Sequence, residues 1–242
     1  MKRETTNKIR FVLEDVLPAF IRDSRAFKAF ASLIWGRHIA DLAKFRERAA
    51  FLTDEEYEAL YKTHPRVHGG SDNSKACINA ISRDVVGSSV CDVGCGTGFL
   101  LDTIRQSRPE LTRLTGVDFA IDDADALPGL EYVAAKIEDL PFKDNEFDTV
   151  VCTHVIEHVL DYHAAIRELR RIAAKRLIIV VPREREYRYT FNPHFNFFPY
   201  THAFLRAMHP VPAEHTCVDI QRDIYYREDL EADITPQAIA AE

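Results

Sequence analysis

The centre of the chain alternates between short apolar runs and amphipathic stretches. The apolar runs are rich in Val, Ile and Leu, and the stretches between them place apolar residues at helical spacing. Continuous apolar runs joined by helices are typical of a parallel sheet that is covered on both faces. The pattern predicts strands at 90–94, 114–119, 130–135, 147–153 and 176–182, with helices at about 74–83, 99–107 and 161–174.

The N-terminal part has a purely helical pattern. Apolar residues recur with helical spacing over 9–21 and again over 27–35. Thr53, with a glutamate three positions later, forms a capping box at the start of a further helix. We therefore assign residues 1–74 to a helical N-terminal cap or lid, and residues 75–242 to the α/β domain.

The C-terminal part changes character after the last predicted strand. Aromatic residues are dense over 187–205, and the segment 217–229 alternates like an edge strand. We predict an aromatic insertion at about 183–216, which forms either a satellite core or part of a ligand pocket.

Composition and charge narrow the function classes. The 242 residues are 46% hydrophobic, enough for one core and an accessory segment. The formal net charge of −7 argues against nucleic acid as a partner, because phosphate binding needs a basic surface. No secretory signal is expected at the start, and no run of about 18 apolar residues predicts a membrane span. Five cysteines without a CxxC pair favour reduced thiols in a cytoplasmic protein.

A glycine-rich turn follows the first predicted strand, in the stretch SVCDVGCGTGFLL. Glycines stand at every second position of 94–98, and Asp92 lies just before them. Glycine lets a backbone turn sharply and approach a ligand closely, and open parallel sheets bind ligands beyond the carboxyl ends of their strands. Asp118, about twenty residues later, can accept both hydroxyls of a ribose. The spacing is tighter than the GxGxxG of dinucleotide-binding proteins, which favours a cofactor without a pyrophosphate.

Three stretches together resemble the class I S-adenosylmethionine-dependent methyltransferases. DVGCGTG resembles the family's first motif, and IEDLPFKDNEFDTVVCTHVIEHV resembles the next signature of its broad small-molecule branch. RELRRIAAKRLIIVVP resembles the family's fifth strand and the helix before it, so that the resemblance covers about 75–182. It implies a Rossmann-like α/β fold, a mostly parallel seven-stranded sheet with helices on both faces, here with the helical N-terminal cap. It also implies S-adenosyl-L-methionine as the cofactor.

The resemblance implies roles for individual residues. The glycine turn lines the methionine part of the cofactor, and Asp92 reaches the amino group directly or through water. Asp118 takes the ribose hydroxyls, and the pair 137–138 flanks the adenine. The family often has Asp where this chain has Lys136, so backbone groups or Glu138 must contact the adenine instead. The implied cofactor-binding residues are Asp92, Gly94, Cys95, Gly96, Thr97, Gly98, Asp118, Phe119, Ile137, Glu138 and His154.

Histidines after the fourth predicted strand are the candidate catalytic residues. His158 and His154 are the first candidates for a general base, and His194 and His202 of the aromatic segment are further ones. His158 is alternatively a helix-start residue bonded to the backbone. The letters HVIEH also match HxxEH, a zinc-hydrolase pattern, but that pattern needs both histidines on one helical turn. Because the first histidine here ends a strand, we expect no metal.

The expected acceptor is a small molecule or a soluble glycan-like compound, with oxygen as the expected methylated atom. Nitrogen, or carbon of a quinone-like ring, remains open. Two other functions are alternatives to methyl transfer. The chain is then either a catalytically inactive cofactor-binding module that acts through its helical segment, or a nicotinamide-dependent dehydrogenase. The sequence predicts no oligomeric state. Five residues of the predicted lid are candidates for closing over the cofactor: Tyr57, Tyr61, His64, Arg66 and His68.

Overall fold

The computed structural model describes the α/β part almost completely and the N-terminal part in pieces. The described residues are 11–12, 16–35, 45–49, 51–53, 55–57, 59, 70–121, 126–186, 188 and 193–230. The helices are α1 (Ala19–Arg22), α2 (Arg25–Trp35), α3 (Phe45–Ala49), α4 (Lys75–Asp84), α5 (Phe99–Ser107), α6 (Tyr162–Ile172) and α7 (Thr201–Ala207). The strands are β1 (Ser89–Val93), β2 (Arg113–Asp118), β3 (Glu131–Ala134), β4 (Phe147–Thr153), β5 (Ala173–Pro182), β6 (His215–Ile220) and β7 (Asp223–Asp229).

The seven strands form one sheet in the order β3-β2-β1-β4-β5-β7-β6. The first five are mutually parallel, whereas β7 runs antiparallel to both β5 and β6. The chain leaves β1 toward β2 on one side and later returns to β4 on the other. The order of strands therefore reverses between β1 and β4, where open α/β sheets form a ligand crevice beyond the carboxyl ends of their strands.

Buried apolar residues form one cluster on each face of the sheet. Neighbouring residues of β5 point to opposite faces, so that Ile178 belongs to one cluster and Ile179 to the other. The cluster that contains Ile178 packs beside α4 and α5, and the cluster that contains Ile179 packs beside α6 and α7. This explains why the parallel strands have continuous apolar runs. The predicted α/β sheet with helices on both faces is confirmed.

The C-terminal strand prediction is wrong in one respect. The alternating segment 217–229 is a hairpin of two strands, with Gln221 at positive φ (59°) in its turn. β7 lies inside the sheet between β5 and β6, and Ile224, Tyr225 and Tyr226 are buried there. Because the turn contains no glycine, the alternation continues through it and hides the reversal.

Two further elements differ from the sequence prediction. β5 begins at Ala173, because α6 ends at Ile172 and the chain enters the strand without a loop. The aromatic segment contains α7, which the sequence did not predict. Phe198 and Phe204 of this segment pack edge to face, with ring centroids 5.0 Å apart, and are buried in the core. These two residues belong to the main core on one face of the sheet, and whether the rest of the segment forms a satellite core or part of a ligand pocket stays a prediction.

Helices also occupy part of the N-terminal segment. α1, α2 and α3 lie within 1–74, and the capping box is formed: the backbone N–H of Glu56 donates to Thr53 Oγ1 at 3.3 Å, and that of Thr53 donates to Glu56 Oε2 at 3.0 Å. That the whole segment acts as a cap stays a prediction. Among the described helices, none has the length and apolar character needed to cross a membrane.

Candidate functional site at the carboxyl edge of the sheet

The glycine-rich turn lies at the reversal point of the sheet. It leaves β1 at Val93, and the backbone N–H groups of Gly94 and Cys95 donate to the carbonyl of Val117 at 2.7 and 2.9 Å. These two hydrogen bonds hold the turn against the end of β2. α5 then begins directly after Gly98.

Two glycines of the turn are required by the protein's own packing. The φ angles are 84°, 56° and 80° for Gly94, Gly96 and Gly98, a region that residues with a Cβ rarely adopt. A Cβ on Gly94 would overlap Val155, and a Cβ on Gly98 would overlap the hydroxyl of Tyr132. Two of the three positions therefore need glycine whether or not a ligand binds. That the turn also lines the cofactor stays a prediction.

Asp118 lies at the end of β2 with its carboxylate above the turn. Oδ2 accepts the backbone N–H of Gly96 at 2.9 Å, and Oδ1 accepts that of Ala120 at 3.2 Å. Each carboxylate oxygen has a further lone pair, and the residue is partly exposed. Asp118 can thus accept two hydroxyls while its orientation is fixed by the backbone. Phe119, the next residue, is half-buried.

Asp92 is the most unusual charged residue of this edge. Its exposure is only 2%, and Oδ1 has no hydrogen-bond partner. Burial and, second, the negative charge of Asp118 raise the pKa of Asp92 to about 7. A buried carboxyl oxygen without a partner is costly, so this position is suited to a cationic donor.

The remaining predicted cofactor residues surround this turn or follow β3. Cys95 is buried against Gly116, and the carbonyl of Thr97 accepts the hydroxyl of Tyr132 at 3.1 Å. Ile137 is buried in the core, whereas Glu138 and Lys136 are exposed beside it. An apolar residue next to exposed polar ones is compatible with a flat ring lying there, and the predicted adenine contacts stay predictions.

His154 lies immediately after β4 in a strained backbone conformation. Its φ is 56°, and its backbone N–H donates to the carbonyl of Val180 at 2.8 Å. Nδ1 lies 3.5 Å from Glu157 Oε1, and Nε2, 3.8 Å from Asp223 Oδ1, has no hydrogen-bond partner. Burial lowers the pKa of His154, but the hydrogen bond that it donates to Glu157 and the charge of Asp223 outweigh burial and leave that pKa above its ordinary value.

His158 belongs to a short 3-10 turn, Ile156–His158, that follows β4. Its Nδ1 lies 3.1 Å from the carbonyl of Pro193, which can only accept, so Nδ1 carries a proton. Burial and, second, the neighbouring His194 lower the pKa of His158 to about 4. The bond to the backbone that the alternative interpretation expects is present, but His158 ends the 3-10 turn and does not begin a helix. A catalytic role for His158 stays a prediction.

His194 lies beside His158, with the two rings edge to face and their centroids 4.6 Å apart. Its Nδ1 is 2.5 Å from Glu184 Oε2, and both residues are buried. His202, by contrast, is exposed and stacks on Tyr200. Of His194 and His202, only His194 reaches the carboxyl edge.

Three polar residues of this edge were not predicted. Asn73 donates from Nδ2 to Thr153 Oγ1 at 2.8 Å, Asp223 approaches His154, and Glu184 binds His194. Asp223 begins β7, and only the antiparallel direction of that strand brings its first residue to this edge. Asn73 carries a weak signal, since it stands in the cluster of helix-capping residues before α4.

One of the predicted lid residues contacts this edge. The hydroxyl of Tyr57 donates to the carbonyl of His158 at 2.5 Å, and its ring stacks on Phe195 with centroids 6.0 Å apart. The other four lid candidates, Tyr61, His64, Arg66 and His68, lie outside the described residues, as does the acidic link at 122–125.

Comparison with known proteins finds a family model that matches the central part of the chain. Residues 91–181 match the family model described as "Methyltransferase domain". Over these residues the chain is similar to a methyltransferase domain. The matched stretch contains the glycine turn, Asp118 and the turn after β4.

The chain is similar to proteins whose names describe different activities. It is 30% identical over 145 residues to ubiquinone biosynthesis O-methyltransferase of Paracidovorax citrulli, covering 55% of this chain and 56% of that protein. It is 32% identical over 92 residues to tRNA U34 carboxymethyltransferase of Campylobacter curvus, covering 35% of this chain and 30% of that protein. The chain thus spans about half of the length of these curated relatives, or less.

A solved structure shares the fold of the methyltransferase domain. A protein of Pyrococcus horikoshii superposes with a TM-score of 0.54 at 15% identity, covering 72% of this chain and 99% of that one. At this identity the likeness concerns the fold alone, and it confirms the Rossmann-like arrangement.

Proposed function

We propose that this chain binds S-adenosylmethionine at the carboxyl edge of its sheet and transfers the methyl group to an oxygen atom of a small-molecule acceptor. The observation that carries the proposal is Asp92, a buried carboxylate at the end of β1 with one oxygen lacking a hydrogen-bond partner. An unsatisfied buried acceptor in a native structure needs an explanation. The ammonium group of the methionine portion supplies the missing donor and a positive charge between Asp92 and Asp118.

The other cofactor contacts follow from the same geometry. Asp118, held by two backbone N–H groups, accepts the ribose hydroxyls. The adenine lies against Phe119 and Ile137, with Glu138 at its exposed edge. The residues of the glycine turn bring their backbone beside the methionine portion. The donors and acceptors present therefore fit the cofactor that the family uses.

A methyl transfer to a hydroxyl needs a base. Bound S-adenosylmethionine would supply a methyl group activated by its sulfonium: the sulfur–methyl bond breaks as the methyl carbon bonds to the acceptor oxygen, and the sulfur leaves as the neutral thioether of the demethylated product. The hydroxyl proton would go to the protein. We assign this proton to Nε2 of His154, which has no hydrogen-bond partner. The hydrogen bond to Glu157 and the charge of Asp223 raise the pKa of His154, which makes its imidazole the better proton acceptor of the two. His158, whose pKa is lowered to about 4, is the weaker base.

The acceptor class rests on charge and on a relative. The net charge of −7 opposes a polyanionic acceptor, although one relative bears the name of a tRNA-modifying enzyme. The relative with the longer match is named as an O-methyltransferase of ubiquinone biosynthesis. We therefore favour a hydroxylated ring compound, and the absence of a nucleic-acid partner stays a prediction.

Calorimetric titration with S-adenosylmethionine and with its demethylated product tests the cofactor assignment. We expect micromolar binding of both, weakened at least about tenfold by Asp118→Ala, because each lost ribose hydrogen bond contributes about 1 kcal/mol or more. Asp144→Ala is the matched control, since Asp144 is an exposed carboxylate before β4, at the opposite edge of the sheet.

Failure to bind either ligand, by wild-type protein that unfolds cooperatively, would overturn the assignment. Binding of a reduced nicotinamide dinucleotide instead would favour the dehydrogenase alternative. Tight cofactor binding without turnover on hydroquinone, catechol and sugar acceptors would favour the inactive module.

A further inference from the structure

Three potential metal ligands converge at the turn after β4. One ligand atom from each of Glu157, His158 and His194 lies within 4.8 Å of the other two. Two imidazoles and one carboxylate form a donor set that proteins use for zinc and related transition-metal dications. Methyl transfer, as proposed above, requires none of these atoms as a metal ligand.

The carboxylate of Glu157 has one buried oxygen without the hydrogen-bond donor that a structural carboxylate would have. Glu157 is 1% exposed, and while its Oε1 faces His154 at 3.5 Å, its Oε2 is buried without a hydrogen-bond partner. A buried carboxylate oxygen costs free energy unless a cation or donor compensates it. Oε2 is therefore a second and independent indication of a missing cation.

The two histidines are oriented as metal ligands usually are. Nδ1 of His158 faces the carbonyl of Pro193 at 3.1 Å, and Nδ1 of His194 faces the carboxylate of Glu184 at 2.5 Å. Metal-bound histidines commonly use one ring nitrogen for such a carbonyl or carboxylate and coordinate through the other. In both rings Nε2 is then the coordinating atom.

The backbone around the three side chains is already fixed. The carbonyl of Glu157 accepts the N–H groups of Phe195 and Asn196 at 2.7 and 3.1 Å. The Asn196 side chain donates to the carbonyls of Ile156 and Val159 at 2.8 and 2.7 Å. Ligands from two distant segments are thus held together before any ion arrives, so that binding needs little ordering of the chain.

We propose that Glu157, His158 and His194 bind one transition-metal dication, with zinc the expected ion. Donors around a tetrahedral zinc lie about 3.3 Å apart, and three residues that already offer ligand atoms within 4.8 Å of one another are close enough to surround such an ion. Three protein ligands leave a fourth position for water or a substrate oxygen. The ion joins the turn after β4 to the aromatic segment at 193–198, and His158 is then a ligand and not a base.

Cobalt(II) substitution tests the site with a spectroscopic signature. Tag-free protein is stripped with a chelator and titrated with Co²⁺ and, by calorimetry, with Zn²⁺. We expect one equivalent of each to bind, with the intense visible absorption of four-coordinate cobalt and without thiolate charge-transfer bands. The second condition is needed because the chain has five free cysteines.

Matched variants assign the ligands. His194→Gln and Glu157→Gln are expected to weaken Co²⁺ binding at least about 100-fold, and Glu184→Gln, which removes only the carboxylate behind His194, about 10- to 100-fold. His202→Gln is the control, since this histidine of the same segment is exposed and stacks on Tyr200. Circular dichroism verifies that each variant is folded.

Three results would overturn the proposal: no binding of Co²⁺ or Zn²⁺ by folded wild-type protein, thiolate bands in the bound spectrum, or unchanged affinity in both ligand variants. Because the readout is the metal spectrum, it is separate from cofactor titration and from methyl transfer.

Discussion

Two buried carboxylates of this protein have opposite surroundings. Glu228, on β7, is fully buried. Its carboxylate accepts hydrogen bonds from Nε and Nη2 of Arg170, at 2.6 and 2.7 Å, and from the hydroxyl of Tyr226 at 2.6 Å. Arg170 also donates to the carbonyl of Met208 at 2.9 Å. Asp92, equally buried on β1, has one oxygen without any partner. The first arrangement is complete within the protein, and the second is incomplete.

The difference between Glu228 and Asp92 distinguishes a buried charge that stabilises the fold from one that a bound ligand would satisfy. A buried ion pair with bidentate geometry is costly to break, because either partner left alone is a buried charge. An unpartnered buried carboxylate destabilises the protein and persists where function requires it. Asp92, His154 and Glu157 each have an unsatisfied buried atom, and all three lie at or near the carboxyl ends of β1 and β4.

Breaking the hydrogen-bonded group of Glu228, Arg170 and Tyr226 is expected to have the largest effect on stability. Glu228→Ala leaves the Arg170 guanidinium and the Tyr226 hydroxyl without their acceptor, and should lower the free energy of unfolding by about 3–5 kcal/mol. Urea denaturation followed by circular dichroism measures this. Glu110→Ala, which removes an exposed partner of Arg108, should leave the midpoint almost unchanged; equal losses in the two variants would contradict the comparison.

Replacing Asp92, the buried carboxylate with an unpartnered oxygen, is expected to stabilise the protein. The pKa of Asp92 is raised from 3.8 to about 7, so between these pH values the folded state holds a proton that the unfolded state has lost. Stability conferred on wild type by the protonated form is therefore lost as pH rises from about 4 to about 7. Asp92→Asn, which cannot ionise, should be more stable than wild type by about 2–4 kcal/mol at pH 8, and by much less near pH 5.

Urea denaturation at the two pH values measures the Asp92 effect, with Asp144→Asn as an exposed control. A stability difference that does not change with pH would show that Asp92 is not protonated in the unliganded protein. The same Asp92 variant should lose affinity for S-adenosylmethionine, so that stability and binding change in opposite directions.

The smallest effect concerns the N-terminal contact with the carboxyl edge. Tyr57→Phe removes the hydroxyl that donates to the carbonyl of His158 and should cost about 1 kcal/mol in the free energy of unfolding. Tyr200→Phe, on an exposed ring of the aromatic segment, is the control and should cost less. Equal effects would indicate that Tyr57 does not make this contact in solution.

The sequence predicted the parallel part of the fold because each element there has a distinct pattern. β4 has the predicted bounds, since its apolar run is bordered by polar residues at both ends. The hairpin of β6 and β7 was missed because its turn at Gln221 lacks the glycine that usually marks such reversals.

The site was only partly predictable for a different reason. The glycine turn and Asp118 follow consecutive parallel strands that pair with each other, so their proximity follows from the parallel topology. The contacts of Glu157, His194 and Glu184 join segments that are 10 to 37 positions apart in the chain, the difference between 194 and 184 and that between 194 and 157. The path of the aromatic segment brings them together, and no local pattern specifies that path.

The contact between Val155 and Gly94 has a consequence for how ligands influence each other. Val155 stands between His154 and the 3-10 turn that carries Glu157, and its side chain fills the space in which Gly94 has no Cβ. A ligand that shifts the glycine turn therefore shifts the segment bearing the proposed metal ligands. Thermodynamic linkage then requires reciprocity: if the ion changes the affinity for S-adenosylmethionine by some factor, the cofactor changes the affinity for the ion by the same factor.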